Sequence, residues 1–272
     1  MKKIASTGAF SMLLFFFSCK KNDALRNSPE VSQSSIKIDS LVVEDSTQLF
    51  KTVKLNYKSS LRLFPELEGK KVLDSIYFKY KGNKDFSKNG LEKALQTEKN
   101  NYYAKLKDLY KDDENYLNNN ESWMQDFGMK VKSNQNNYMY IQYRSESFWG
   151  GAHSNYVYTD KVFDLQNDKK VELSDITSMP SDEIEKLLKE KSKTISKGND
   201  GNNKPLMVFD ELYDTKNKLL LNNFYFDDKN LYFHYSQEEV APYVIGDIVI
   251  PISWEELKGK LNPEFQKRMK IN

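Results

Sequence analysis

The stretch FGMKVKSNQNNYMYIQYRSES, Phe127–Ser147, decides the fold. On both sides of Asn134-Gln135-Asn136 the apolar residues recur at every second position. That is the period of a pleated strand, and the three polar residues between the runs predict a hairpin turn. In the second run Met139, Ile141 and Tyr143 point one way, and Tyr138, Tyr140, Gln142 and Arg144 the other. The pattern continues downstream. NYVYTDKVFDL (Asn155–Leu165) and KKVELSDI (Lys169–Ile176) predict a strand, a tight turn at Gln166-Asn167-Asp168, and a second strand.

Upstream the period changes. Leu91, Leu95, Tyr102, Leu106, Leu109 and Tyr110 recur at helical spacing from about Asp85 to Tyr116. This predicts one long amphipathic helix, with Asn100-Asn101 as the place for a break. Before it, IKIDSLVVE (Ile36–Glu44) and QLFKTVKLNYK (Gln48–Lys58) predict strands, while Lys71–Lys81 fits either a strand or the start of a helix. Ser181–Lys197 predicts a second helix, with Ser181 as its cap and Gly198 as its stop. NFYFDDKNLYFHYS (Asn223–Ser236) predicts a hairpin and VIGDIVIPIS (Val244–Ser253) a strand. Ser253 and Glu256 make a capping-box pattern that opens a last helix, WEELKGKL (Trp254–Leu261). The order gives an α+β fold of mainly antiparallel sheets, with one long helix in a first domain (36–168) and shorter helices in a second (169–272).

The chain start reads as an export signal over residues 1–18. Lys2 and Lys3 precede an apolar run from Ile4 to Phe17, too short and too interrupted to span a bilayer comfortably. Cys19, the sole cysteine, follows a small residue at the end of that run. Its setting is similar to the lipobox of bacterial lipoproteins, where this thiol is acylated; an unmodified leader cysteine is the plainer reading. Residues 19–35 are polar and read as a tether. Removing Lys2 and Lys3 from 41 basic side chains brings them level with the 39 acidic ones. A formally neutral remainder argues against a nucleic-acid partner.

Chemistry-bearing motifs are sparse. Two histidines, His153 and His234, and no cysteine partners exclude a structural zinc site on count, so no metal or cofactor is expected. There is no G-x-S-x-G, HExxH or P-loop, and no catalytic residue is assigned. FWGGAHSNY (Phe148–Tyr156) concentrates two of the 11 glycines and one histidine between aromatics. It reads either as a ligand-contacting loop with Trp149 as a platform, or as a sharp corner between strands with Trp149 buried and His153 bonded locally. His234 alternates within LYFHYS and reads as an ordinary strand residue. Ala241–Asp247, APYVIGD, reads as an irregular turn, or as a stiff loop that exposes Tyr243. The candidate ligand-binding residues are therefore Trp149, Gly150, Gly151, His153 and Tyr243.

GGAHSNYVYTDKVFDLQNDKKVELSDI and, later, EEVAPYVIGDIVIPISWEEL resemble a pair of domains of unknown function found together in bacterial envelope proteins. The pair occurs in the extracytoplasmic part of RsiV-type anti-sigma factors, which bind lysozyme. The first domain also accompanies PdaC-type peptidoglycan deacetylases. The sequence has neither the sigma-binding segment and membrane span of the former nor the metal-ligating catalytic domain of the latter. The resemblance therefore implies a non-enzymatic binding module held in the cell envelope by a lipid anchor, for lysozyme, another protein or a cell-wall glycan. Two rivals stand beside it. One is a glycan-acting enzyme using His153 with a carboxylate such as Asp164, which requires the two to converge in one cleft. The other is a structural lipoprotein that holds another envelope component.

Overall fold

Strands β1 (Asp39–Phe50) and β2 (Val53–Leu63) form an antiparallel hairpin at one edge of a six-stranded sheet. In β2 the residues Val53, Leu55, Tyr57, Ser59, Leu61 and Leu63 are all buried, alternating with Lys, Asn, Ser and Arg that face outward. A computed structural model describes residues 36–80, 82–112, 121–213 and 219–272. The expected leader, Cys19 anchor and tether lie outside the described residues.

After β2 the chain leaves the sheet through two short 3-10 turns flanking α1 (Val72–Ile76), so the described part of the expected strand-or-helix segment is helical, in α1 and the turn Phe78–Tyr80. It then enters α2 (Lys88–Leu109). Ser87 caps α2 by accepting a hydrogen bond from the Gly90 amide at 3.2 Å. Leu91, Leu95 and Leu106 bury its inner stripe. The helix runs unbroken through Asn100-Asn101, contrary to the expected break. Both asparagines lie on the exposed side, where their propensity cost of under about 0.7 kcal/mol each is outweighed by leucine burial. Strand β3 (Glu121–Gln135) then returns parallel to β2, as such a crossover connection allows.

Strands β4 (Tyr138–Phe148), β5 (Asn155–Asp164) and β6 (Lys169–Lys170) continue the sheet antiparallel, in the order β1-β2-β3-β4-β5-β6. The β3–β4 turn falls on Asn136-Asn137, both left-handed at φ 53° and 58°, later than the expected Asn134–Asn136. Two left-handed residues match the twist of a two-residue hairpin. The two faces of β4 enter different cores. Met139, Ile141 and Tyr143 join the core under α1 and α2 with Phe127 and Phe163. Tyr138 and Tyr140 join the core of the C-terminal elements with Phe226, Phe233 and Phe265.

Beyond β6 the expected second strand is cut short by α3 (Leu173–Ile176), whose capping box is made by Glu172 and Asp175. Helix α4 (Ser181–Ser192) follows, capped at Pro180 rather than Ser181. It stops earlier than Lys197 because Ser196–Asn199 forms β7, paired with β8 (Pro205–Met207). Then come α5 (Val208–Glu211), β9 (Phe224–Phe226), β10 (Asn230–Tyr235) and β11 (Ile248–Ser253), the last three an antiparallel sheet ordered β11-β10-β9. The expected helix at Trp254–Leu261 is instead a run of turns. Its capping box forms, with the Ser253 amide donating to Glu256 at 2.8 Å, but the bonds that follow span three residues and Gly259 turns left-handed at φ 76°. The terminal helix is α6 (Pro263–Met269), capped by Asn262. Ser35–Asn272 makes one compact unit, and residue 168 lies in the turn between the paired strands β5 and β6.

Candidate functional site

The connection from β4 to β5 carries the glycine pair. Gly150 and Gly151 sit at φ 84° and 96°, a region closed to most side chains. A Cβ on Gly151 would meet nothing, so conformation rather than space demands glycine there. This reversal sends Trp149 and His153 in different directions. Trp149 donates from Nε1 to the Tyr102 hydroxyl of α2 at 2.8 Å. The His153 ring lies on the Tyr243 ring, with centroids 3.6 Å apart and planes at 29°. His153 also places Nδ1 3.3 Å from the Ser154 carbonyl.

Tyr243 opens a 3-10 turn, Tyr243–Ile245, directly after Pro242. Gly246 closes it at φ 67° and ψ −155°, a conformation that is essentially glycine's own. Gln237 donates to the Tyr243 carbonyl at 3.3 Å and steadies the turn. The two unusual segments thus meet. His153 and Tyr243 join the β4–β5 loop to the turn, with Val244 next to Tyr243 68% exposed, while Trp149 turns the other way to α2. The corner reading holds for the backbone and for the local bond of His153. Trp149 departs from it: 43% of its surface is exposed, because its indole is drawn out to Tyr102. Burial pushes the Tyr102 phenol up to about 12, so it stays protonated and donates onward to Gln125 at 3.1 Å.

His153 and Asp164 do not converge. They flank opposite ends of β5, about 30 Å apart at the usual rise per residue. Asp164 is held by the two terminal guanidinium nitrogens of Arg268, each at 2.8 Å, and accepts from the Gln166 and Asn167 amides at 3.0 and 2.9 Å. Burial works to raise its pKa, but the bonds from Arg268 and Asn167 prevail and hold the carboxyl below its ordinary value. Asp164 pins α6 to the β5 turn, and the His153–Asp164 acid–base pair of the rival enzyme reading is not formed.

His234 is no ordinary strand residue. Its Nδ1 lies 2.5 Å from Oδ2 of Asp160, and both side chains are almost wholly buried. Asp160 also accepts from the Tyr140 hydroxyl at 2.6 Å and from Gln142 at 3.1 Å. Burial and the adjoining carboxylate push the Tyr140 phenol far above its usual range, so it serves as a donor. Asn223 ties the same place together, accepting from the Asp160 amide at 2.6 Å and donating to the His234 carbonyl at 2.8 Å. This network joins β5 to β10 inside a closed core, where no substrate reaches it. It is a structural latch, and no local motif announces it, because its partners stand 74 residues apart.

Among the described residues no group of three or more His, Cys, Asp or Glu is placed to hold a metal ion. No described helix is long and apolar enough to cross a membrane.

Residues 172–255 match the family model described as "Protein of unknown function (DUF3298)". No curated protein matches the chain. Among solved structures, the chain is similar to a DUF3298-family protein from Bacteroides fragilis, with a TM-score of 0.65 and 21% identity over 88% of this chain and 98% of that one. It is also similar to a DUF3298-family protein from Pseudomonas aeruginosa PAO1, with a TM-score of 0.54 and 14% identity over 85% of this chain and 96% of that one. At these identities the likeness establishes the shared fold.

Proposed function

We propose that this chain is a lipid-anchored protein of the bacterial cell envelope whose folded part is a non-enzymatic binding module. Its ligand is a protein of lysozyme type or a cell-wall glycan, met by the surface that carries Trp149, His153 and Tyr243. The stacking of His153 on Tyr243 carries this reading, since it draws two segments 90 positions apart together, an exposed imidazole on a half-buried phenol ring. Exposed aromatics held by their neighbours give contact area at low entropic cost, as binding surfaces require. Gly150, Gly151 and Gly246 set the backbone that presents them. The leader and Cys19 supply the anchor, with the acyl chains holding the module at a membrane face.

The test is retention of the purified chain on immobilised lysozyme and on insoluble peptidoglycan in parallel. Retention on one of them, weakened at least about tenfold (1.4 kcal/mol) by Tyr243→Ala or Trp149→Ala, is the expected result. Retention on neither, or retention indifferent to both substitutions, removes this surface as the binding site.

A further inference from the structure

The register of the large sheet exposes a second surface. Side chains in register share a face. On the α2 side, one row runs Ser59, Phe127, Ser145, Val157 across β2, β3, β4 and β5. Exposure rises along it, from 0% at Ser59 and 6% at Phe127, through a half-buried Ser145, to 52% at Val157. The neighbouring row ends in an exposed Asn155, and the next in a half-buried Thr159. Helix α2 therefore covers β1 to β3, and Met139, Ile141, Tyr143 and Phe163 are buried toward α1, while the same face stands open at Ser145 and along β5 from Asn155 to Thr159.

This open face has fixed polar groups. Trp149 donates to Tyr102, Tyr102 to Gln125 at 3.1 Å, and the Gln125 amide to Ser145 at 3.2 Å. The chain of bonds ties an indole edge, a planar amide and a hydroxyl together in sequence. Toward the far end lie two ammonium groups. Lys79 sits 3.5 Å over the Phe127 ring and is paired with Glu98 at 3.4 Å. Lys161 sits 4.6 Å over the Phe78 ring, and among the described residues no carboxylate is bonded to it. Burial, with Lys170 adjoining it on β6, pulls the Lys161 ammonium below its ordinary value, against a weaker pull from Glu172. Glu172 itself is taken by Lys170 at 2.8 Å. A half-buried cation without a counter-ion is a costly element of a fold, and an arriving anion relieves it.

We infer that this open sheet face binds a carboxylate-bearing glycan, with a sugar ring against Trp149, hydroxyls on Gln125 and Ser145, and the acid group at Lys161. An amphipathic sugar matches the elements in turn: the indole takes its apolar face, and the amide and hydroxyl side chains take its hydroxyls. A neutral sugar would leave the cation unanswered. The inference rests on the binding-module reading, but it uses a different face from the His153–Tyr243 surface and shares only Trp149 with it.

The experiment is a fluorescence titration of the full chain in detergent with tetragalacturonate and, separately, with its methyl ester. Trp123 and Trp254 are buried at 1% and 5% exposure, so Trp149 reports the ligand. The acid is expected to bind with a Kd of about 1 mM or tighter, and the ester about tenfold more weakly. Lys161→Gln should abolish that difference. Equal binding of acid and ester, wild-type behaviour of Lys161→Gln, or no response to either sugar at about 10 mM overturns the proposal. Loss of lysozyme or peptidoglycan retention in Tyr243→Ala alone concerns the other surface, so the two readings fail separately.

Discussion

Replacing His234 with phenylalanine keeps a ring to pack against Tyr158, whose centroid lies 5.3 Å from the imidazole, but removes the bond to Asp160. The Asp160 side chain is 0% exposed, so water cannot replace the lost partner. Tyr140 and Gln142 remain, both neutral donors, and the carboxylate loses the closest of its three side-chain contacts. Breaking a buried pair from one side costs about 3–5 kcal/mol, because it strands the other charge. In a unit of this size that lowers Tm by roughly 6–20 °C, at 2–4 °C per kcal/mol. Urea denaturation followed by circular dichroism at pH 7 measures it. The double variant His234→Phe/Asp160→Asn should lose less than His234→Phe alone, since it leaves no stranded charge. A loss under about 1 kcal/mol in the single variant, or a double variant worse than the sum of the singles, refutes the latch.

Three further outcomes are expected. Arg268→Ala should cost about 3 kcal/mol by stranding Asp164. The pH dependence has a definite sign: the Asp164 pKa is depressed on folding, so its contribution is fully present above the unfolded value of about 3.9. It is lost as pH falls through the folded value, and acid unfolding curves of the variant should lack that component below about pH 4. Gly246→Ala should cost about 1–3 kcal/mol in thermal melts from the forbidden backbone region alone, and should loosen the Tyr243 turn. Spectrophotometric titration of the tyrosines should leave Tyr102, Tyr138 and Tyr225 protonated at pH 10.5, since burial pushes each up to about 12; their release at that pH would contradict the packing.

The pleat of Met139, Ile141 and Tyr143 against Tyr138 and Tyr140 was legible because a strand's period is rigid, and both faces proved buried because each meets its own core. The inner stripe of α2 was legible for the same reason. Helix ends were less so. The Ser253–Glu256 box formed without a helix behind it, while Asn262-Pro263-Glu264, an equally good start signal, opened α6 unnoticed. A cap fixes where a helix can begin, and the packing of later residues decides whether it propagates. Of the site, the oddity of FWGGAHSNY and of APYVIGD was visible in composition. Their meeting was not, nor was that of His234 with Asp160, because contacts across 90 and 74 positions leave no trace in local spacing.

The parallel seam between β2 and β3 has a kinetic consequence. Every other junction in the large sheet closes a hairpin and forms early from near neighbours in the chain. The seam must wait until the whole crossover through α1 and α2 has been laid down, and its loop-closure entropy falls due before any pairing rewards it. Folding therefore welds two preformed pieces, the β1–β2 hairpin and the β3–β6 meander. Until the weld is made, β2 and β3 both present bare edges, and during that interval the newly made chain is most open to pairing with another copy of itself.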